Sequence, residues 1–310
     1  MLIISIIILF LLLIIALIIS FVCYRITFCI SSKQNRDPHI LLEGVQYEQM
    51  KDKILPLVDS ALKIPYEDVN ITSFDGKKLH GAYYEVNKGA PVQIMFHGYK
   101  SIAIRDYCGA LQFTLKAGYN VLLVDQRAHG ISEGKCLTFG ILERKDCVSW
   151  VNYVSKRFGF STKIILVGVS MGAATVLMAS ELELPQNVVG IIADSSYSSP
   201  ESIIKKVIGD MHLPVLPSYF FVYLGARIFG GFDLNKSSAE NAVKKCKVPI
   251  LFFHGEADTF VPCEMCYEIY NKCSAQKNMI TVSGADHGLE YLVDKEKYMS
   301  SLNEFLKKIS

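Results

Sequence analysis

Ser170 stands between two glycines in Gly168-Val169-Ser170-Met171-Gly172, where an apolar run over 164–167 gives way to Ala173-Ala174-Thr175-Val176-Leu177. The run has the character of a buried strand, and the small residues after the serine open a helix. A serine on so sharp a strand-to-helix turn sits in strained backbone, and its neighbours two positions away must be nearly without side chain. Gly168 and Gly172 meet that need, and Ala173 and Ala174 let the helix lie close to the sheet. The chemistry implied is attack by a serine hydroxyl on an acyl carbon. The alternative is an ordinary glycine-bracketed loop.

A hydroxyl is a poor nucleophile until a base removes its proton, so a histidine is required, with a carboxylate to orient it. Two later strand-like runs supply both. Residues 250–253 lead into His254-Gly255-Glu256-Ala257-Asp258, and 279–282 lead into Gly284-Ala285-Asp286-His287-Gly288. Asp258 is the candidate acid and His287 the candidate base. His254, at the tip of its strand and ahead of the acid, is a rival base; Glu256 and Asp194 are rival acids. Asp286 is expected to cap the next helix or shape its loop. The oxyanion of a tetrahedral intermediate needs backbone N–H donors. Met171, after the nucleophile, is one candidate. Tyr99, in the loop after the early strand 92–96, is the other, with Gly98 allowing close approach of the backbone. His97 either shapes the pocket or is a buried, hydrogen-bonded histidine.

Other motifs carry less chemistry. Asp125, Arg127 and His129 in "DQRAHGISEG" are expected to be structural, with Asp125 and Arg127 pairing to hold that loop. Cys263-Glu264-Met265-Cys266 has the Cys-x-x-Cys spacing without a second ligand pair, so packing is expected and no metal. Asn70 and Asn235 fit the glycosylation sequon, which matters only in a secretory lumen. There is no glycine-rich phosphate loop and no dinucleotide fingerprint, so no cofactor is expected. Net charge is +2 with no dense basic block, and nothing points to a nucleic-acid surface.

These residues need elements to hold them. Residues 2–22 are almost unbroken apolar residues, interrupted by Ser5 and Ser20, enough to cross a hydrocarbon layer as a helix. A signal peptide would want a basic stretch first and a small-residue cleavage site, and neither is present. A retained anchor over 1–23 is expected. Arg25, Lys33 and Arg36 follow the span, which by the positive-inside rule places the body in the cytoplasm; nine scattered cysteines without framework spacing agree. Residues 24–65 are expected to form a linker over 31–39 and a juxtamembrane helix over 45–62, interrupted at Pro56. From 66 to 310, strands over 70–74, 78–86, 92–96, 120–125, 163–169, 188–194, 248–254 and 279–282 alternate with helices over 105–116, 143–158, 171–181, 261–272 and 291–309. That alternation implies a mostly parallel sheet covered on both faces. Residues 195–241, with Pro200, Pro214, Pro217 and an aromatic cluster at 219–223, break the rhythm and are expected to form a cap over the active-site edge.

Taken together, "FHGYK", "DQRAHGISEG", "GVSMGA", "HGEADTFVP" and "GADHG" resemble the α/β-hydrolase superfamily. More narrowly they are similar to membrane-anchored bacterial hydrolases related to serine aminopeptidases, prolyl oligopeptidase catalytic domains and cinnamoyl-type esterases. The resemblance runs from about residue 68 to the C-terminus and implies Ser170, Asp258 and His287 as a triad, with Tyr99 and Met171 as the oxyanion hole. Ala128 stands where such proteins usually carry glycine, and Val169 where many carry histidine. The expected substrate is a small ester. A thioester or short peptide would use the same parts, so acyl-thioesterase and aminopeptidase-like activities are alternatives, as is an inactive binding protein on the same fold.

Overall fold

The computed structural model describes residues 1–30, 37–41 and 44–309. Most of the expected linker over 31–39, including Lys33 and Arg36, lies outside the described residues.

The first helix, α1 (Leu2–Phe28), is apolar all round, with a mean hydropathy of 3.7 over its most apolar stretch and almost no burial along its first half. By length and composition it can cross a membrane. Helix α2 (Val45–Leu62) runs continuously through Pro56 instead of breaking there. Proline removes only its own N–H bond, and Ile54 and Val58, buried on either side, hold the helix to the core.

Eight strands follow: β1 (Glu67–Thr72), β2 (Lys78–Tyr84), β3 (Val92–Phe96), β4 (Asn120–Val124), β5 (Ile164–Val169), β6 (Val188–Asp194), β7 (Ile250–Gly255) and β8 (Lys277–Val282). They form one sheet in the order β1-β2-β4-β3-β5-β6-β7-β8. β2 is antiparallel to both neighbours, and β4 through β8 are parallel. Strands β3, β4 and β7 are buried along their whole length, as interior strands covered on both faces must be.

Between strands lie α3 (Ala103–Asp106), α4 (Cys108–Lys116), α5 (Glu143–Phe158), α6 (Met171–Ala179), α7 (Pro200–Asp210), α8 (Val215–Gly225), α9 (Ala239–Ala242) and α10 (Cys263–Lys272); α11 (Glu290–Val293) and α12 (Lys295–Ile309) close the chain. One face of the sheet packs on α5, α6, α9 and α10 around Trp150, Leu166 and Phe252. The other packs on α2, α4 and α12 around Met95, Leu111 and Leu302. The helix expected over 105–116 is split at Tyr107, whose hydroxyl donates to Phe96 O at 2.8 Å. The helix expected over 291–309 is split at Asp294, whose carboxylate accepts from Lys297 N–H and starts α12 as an N-cap. Residues 195–241 carry α7, α8, a π turn (Ala226–Gly230) and α9. Their aromatic stretch packs along α1 in a third core with Tyr24 and Phe28.

Candidate active site

In parallel α/β sheets, ligands bind beyond the carboxyl ends of the strands. All the residues singled out for chemistry are carried there by the loops after β3, β5, β7 and β8.

Ser170 joins β5 to α6 with φ 54° and ψ −117°. That backbone is strained for any residue with a side chain, and the surroundings fix it: Ser170 N–H donates to Asp194 O at 2.8 Å, while its carbonyl accepts from Ala174 N–H at 3.0 Å. Gly172 has no room for a side chain, since a Cβ there would stand 1.8 Å from Phe96 O; at Gly168 one would stand 2.3 Å from the Gly172 carbonyl. Both glycines are therefore steric requirements of the turn. Gly98 faces Ser170 across the gap, and a Cβ on it would touch Ser170 Cβ at 3.4 Å.

Asp258 and His287 meet. His287 Nδ1–H donates to Asp258 Oδ2 at 2.7 Å, leaving Nε2 as the free ring nitrogen. Asp258 Oδ1 accepts from Phe260 N–H at 2.9 Å and Val261 N–H at 2.7 Å. Burial alone would push this carboxyl up, but hydrogen bonds from His254 and His287 outweigh it and hold it well below the usual carboxylate range. It is thus an anion at neutral pH. Phe260 packs edge-on to the His287 ring, with centroids 5.2 Å apart.

The rivals go elsewhere. His254 is fully buried and directs Nε2–H to Val261 O at 2.8 Å, with Asp258 Oδ2 at 3.3 Å. It supports Asp258 from behind. Glu256 lies on the exposed side, accepting from Thr281 Oγ1. Asp194 accepts from the Tyr298 hydroxyl at 3.0 Å, and burial raises its pKa. Asp286 shapes the loop, taking Thr259 N–H and His287 N–H.

The loop after β3 is tightly held. His97 Nδ1–H donates to Gly98 O at 2.8 Å, and its Nε2 accepts from Gln126 N–H at 3.2 Å. Both ring nitrogens are engaged, and burial lowers the pKa, so His97 is a neutral structural histidine. Asp106 accepts from Gly98 N–H at 2.8 Å and from the Ser101 hydroxyl. Among the described residues, Tyr99 N–H and Met171 N–H donate no hydrogen bond. Two unused donors, one following Ser170 in the chain and one following Gly98, which faces it, are what an oxyanion site requires.

One expected pairing is not made. Asp125 pairs with His80 at 2.9 Å, while Arg127 forks onto Asp146 at 2.6 and 2.7 Å and reaches Asp75. Buried Arg127 finds in Asp146 the two parallel oxygens a guanidinium prefers, and Asp125 is taken by His80 and Ile131 N–H. Cys263 and Cys266 are buried free thiols on α10.

Ser170, His287, Gly98 and Tyr99 line one cavity of about 490 Å³. From there it continues down the sheet face under α2, α4 and α12, past Met95, Ile192 and Leu302 to Ile54, Leu57 and Phe113. Of residues 195–241, only Lys206 and Asp210 reach it. The juxtamembrane helix was not expected here, and it also holds the loop that carries His287. Tyr47 O–H donates to His287 O at 2.5 Å, and Gln46 takes Asp286 N–H at 2.9 Å while donating to Gly284 O. The only sequence signal for this was the amphipathic pattern of 45–62, which gives a buried face but no partner.

Comparisons with known proteins agree with this fold. A family model described as the α/β-hydrolase fold matches residues 94–215, and one described as serine hydrolase (FSH1) matches 166–288. The chain is 26% identical over 193 residues to the protein YqkD of Bacillus subtilis, covering 62% of this chain and 63% of that one, just under two thirds of the relative's length. It is 25% identical over 268 residues to the α/β-hydrolase domain-containing protein WAV2 of Arabidopsis thaliana, covering 83% of each. Among solved structures, an esterase of Pyrococcus furiosus superposes with a TM-score of 0.65 and 27% identity, over 90% of this chain and 99% of that one.

Proposed function

Since this chain is an α/β-hydrolase-fold protein, we propose that it is a serine hydrolase cleaving carboxylic esters that carry an apolar acyl group. Ser170 Oγ attacks the ester carbonyl while His287 Nε2 takes its proton. The negative oxygen of the tetrahedral intermediate is held by Tyr99 N–H and Met171 N–H. His287 returns the proton to the leaving alcohol, and an acyl-Ser170 ester remains. Water then attacks with His287 again as base, releasing the acid and restoring the serine. Asp258 fixes the histidine tautomer and stabilises the imidazolium. Each oxyanion donor supplies about 2.7–4 kcal/mol.

The observation that carries the reading is the single cavity holding Ser170 and His287 and continuing between Ile54, Leu57 and Leu302. An apolar passage of that kind accommodates an acyl chain, and the carboxylates that also line the cavity are engaged by the protein itself, Asp106 by Gly98 N–H and the Ser101 hydroxyl and Asp194 by the Tyr298 hydroxyl. The Pyrococcus furiosus esterase supports the ester class. A panel of p-nitrophenyl esters of rising chain length, set against aminoacyl arylamides, tests it. Medium-chain esters are expected to be turned over fastest and Ser170→Ala to abolish turnover; faster cleavage of the arylamides would make the protein a peptidase.

The apolar helix α1 is proposed as a retained membrane anchor. Its last turn docks on the catalytic edge. Tyr99 O–H donates to Thr27 O at 2.8 Å, Lys100 Nζ donates to Ile26 O at 2.9 Å, and Leu137 N–H donates to Phe28 O at 2.9 Å.

A further inference from the structure

An anchor seated on the oxyanion loop points the catalytic edge of the sheet at the bilayer. Helix α8 lies beside it on that edge. Its sequence, VLPSYFFVYLG, carries no charge, yet it is covered only where it meets α1 and α7. The two helices approach closely where Gly225 meets Ser20: a Cβ on Gly225 would stand 2.4 Å from Ser20 O. Backbones brought together through small residues are the packing mode of helices in lipid. Downstream, Phe229 stacks edge-on to Phe21 at 5.1 Å and Phe232 to Phe28 at 5.1 Å. The chain from Gly225 to Phe232 therefore runs the same way as α1 from Ser20 to Phe28, and α8 itself lies alongside the half-buried Ala16 and Leu17.

A span of about 30 Å from Leu2 takes up roughly 20 residues of α1, so α8 lies level with the end of the apolar span. Its uncovered side carries Leu216 at 72% and Phe220 at 55% exposure, with Met211, Leu213 and Ile228 extending the patch. In water this face would be a costly exposed apolar surface; it is continuous with the bare side of α1. Immediately behind Met211, at the end of α7, Lys206 and Asp210 line the catalytic cavity.

We propose that α8 and the turn before it are seated in the bilayer interface, and that the ester enters the cavity from the lipid phase past the end of α7. The occupant of this face is the lipid bilayer. The inference rests on the ester-hydrolase reading for its substrate and on α1 as the anchor for its placement.

Fluorescence quenching in vesicles of brominated phosphatidylcholine tests the placement, using the full chain. Trp150, the only tryptophan, is buried in the core and is expected to stay unquenched. Leu9→Trp reports the anchor, Phe220→Trp the cap, and Phe160→Trp the opposite edge of the sheet. Quenching of the added tryptophan at 9 and 220 but not at 160 is expected. Quenching at 9 without quenching at 220 overturns the seating of α8 and leaves the anchor intact; no quenching at 9 overturns both. The double variant Leu216→Asp, Phe220→Asp tests the supply route. It is expected to hydrolyse a short soluble p-nitrophenyl ester like the unaltered protein, and to lose about tenfold or more on a long-chain ester embedded in vesicles, because aspartate is disfavoured at an apolar depth. Equal turnover of both substrates by both proteins overturns the lipid route. Failure of the unaltered protein on both esters would instead overturn the ester reading, and cleavage of the short ester alone would overturn the lipid route.

Discussion

Asp258 carries two imidazoles, His287 at 2.7 Å and His254 at 3.3 Å. The first hydrogen bond sets which nitrogen of His287 is left free, so the tautomer depends on the carboxylate. Asp258→Asn is expected to lower kcat by about 10⁴-fold with KM little changed, measured by steady-state ester hydrolysis on protein whose melting shows it folded. The order of Ser170, Asp258 and His287 was legible from their places after apolar runs. The second histidine was not, because a residue at a strand tip looks the same whether it supports an acid or replaces it. Ala128 shows the converse, a departure visible in the sequence whose cost needed the backbone. Its φ is 64°, a left-handed conformation that disfavours any side chain. Ala128→Gly is expected to stabilise the protein by about 1 kcal/mol, raising Tm by roughly 2–4 °C in calorimetry.

Among the elements, the sheet and its helices followed from alternating apolar runs, with boundaries moved by single side chains such as Tyr107 and Asp294. Helix α2 is where sequence reasoning fell short. Its amphipathic pattern implied a buried face, yet nothing in it implied that Gln46 and Tyr47 grip the loop carrying His287, or that Ile54 and Leu57 wall the cavity. Contacts between segments some 240 positions apart leave no local trace. Gln46 holds the His287 loop through Asp286 N–H without lining the cavity, so it acts by positioning. Gln46→Ala removes a hydrogen bond worth about 1 kcal/mol. It is expected to lower kcat about fivefold with KM unchanged; a rise in KM alone would show that α2 shapes the pocket without placing the base.

At the scale of the molecule, the parts a sequence displays separately prove to be joined. The sequence offers the apolar N-terminal run as an anchor, the juxtamembrane helix as an amphipathic segment and the aromatic insertion as a cap over the active-site edge, with no sign that they touch one another. In three dimensions α1 docks through Tyr99 on the loop offered as oxyanion hole, α2 closes the acyl passage, and α8 packs on α1. The apolar N-terminal helix and the residues proposed for the chemistry share one edge of the sheet. The account rests on Ser170 as the nucleophile at that edge. Treating the full-length protein with a fluorophosphonate and mapping the adduct by peptide mass spectrometry tests this most directly. A single adduct on Ser170, absent from Ser170→Ala, is the predicted result; no adduct, or one that persists elsewhere in Ser170→Ala, would contradict it.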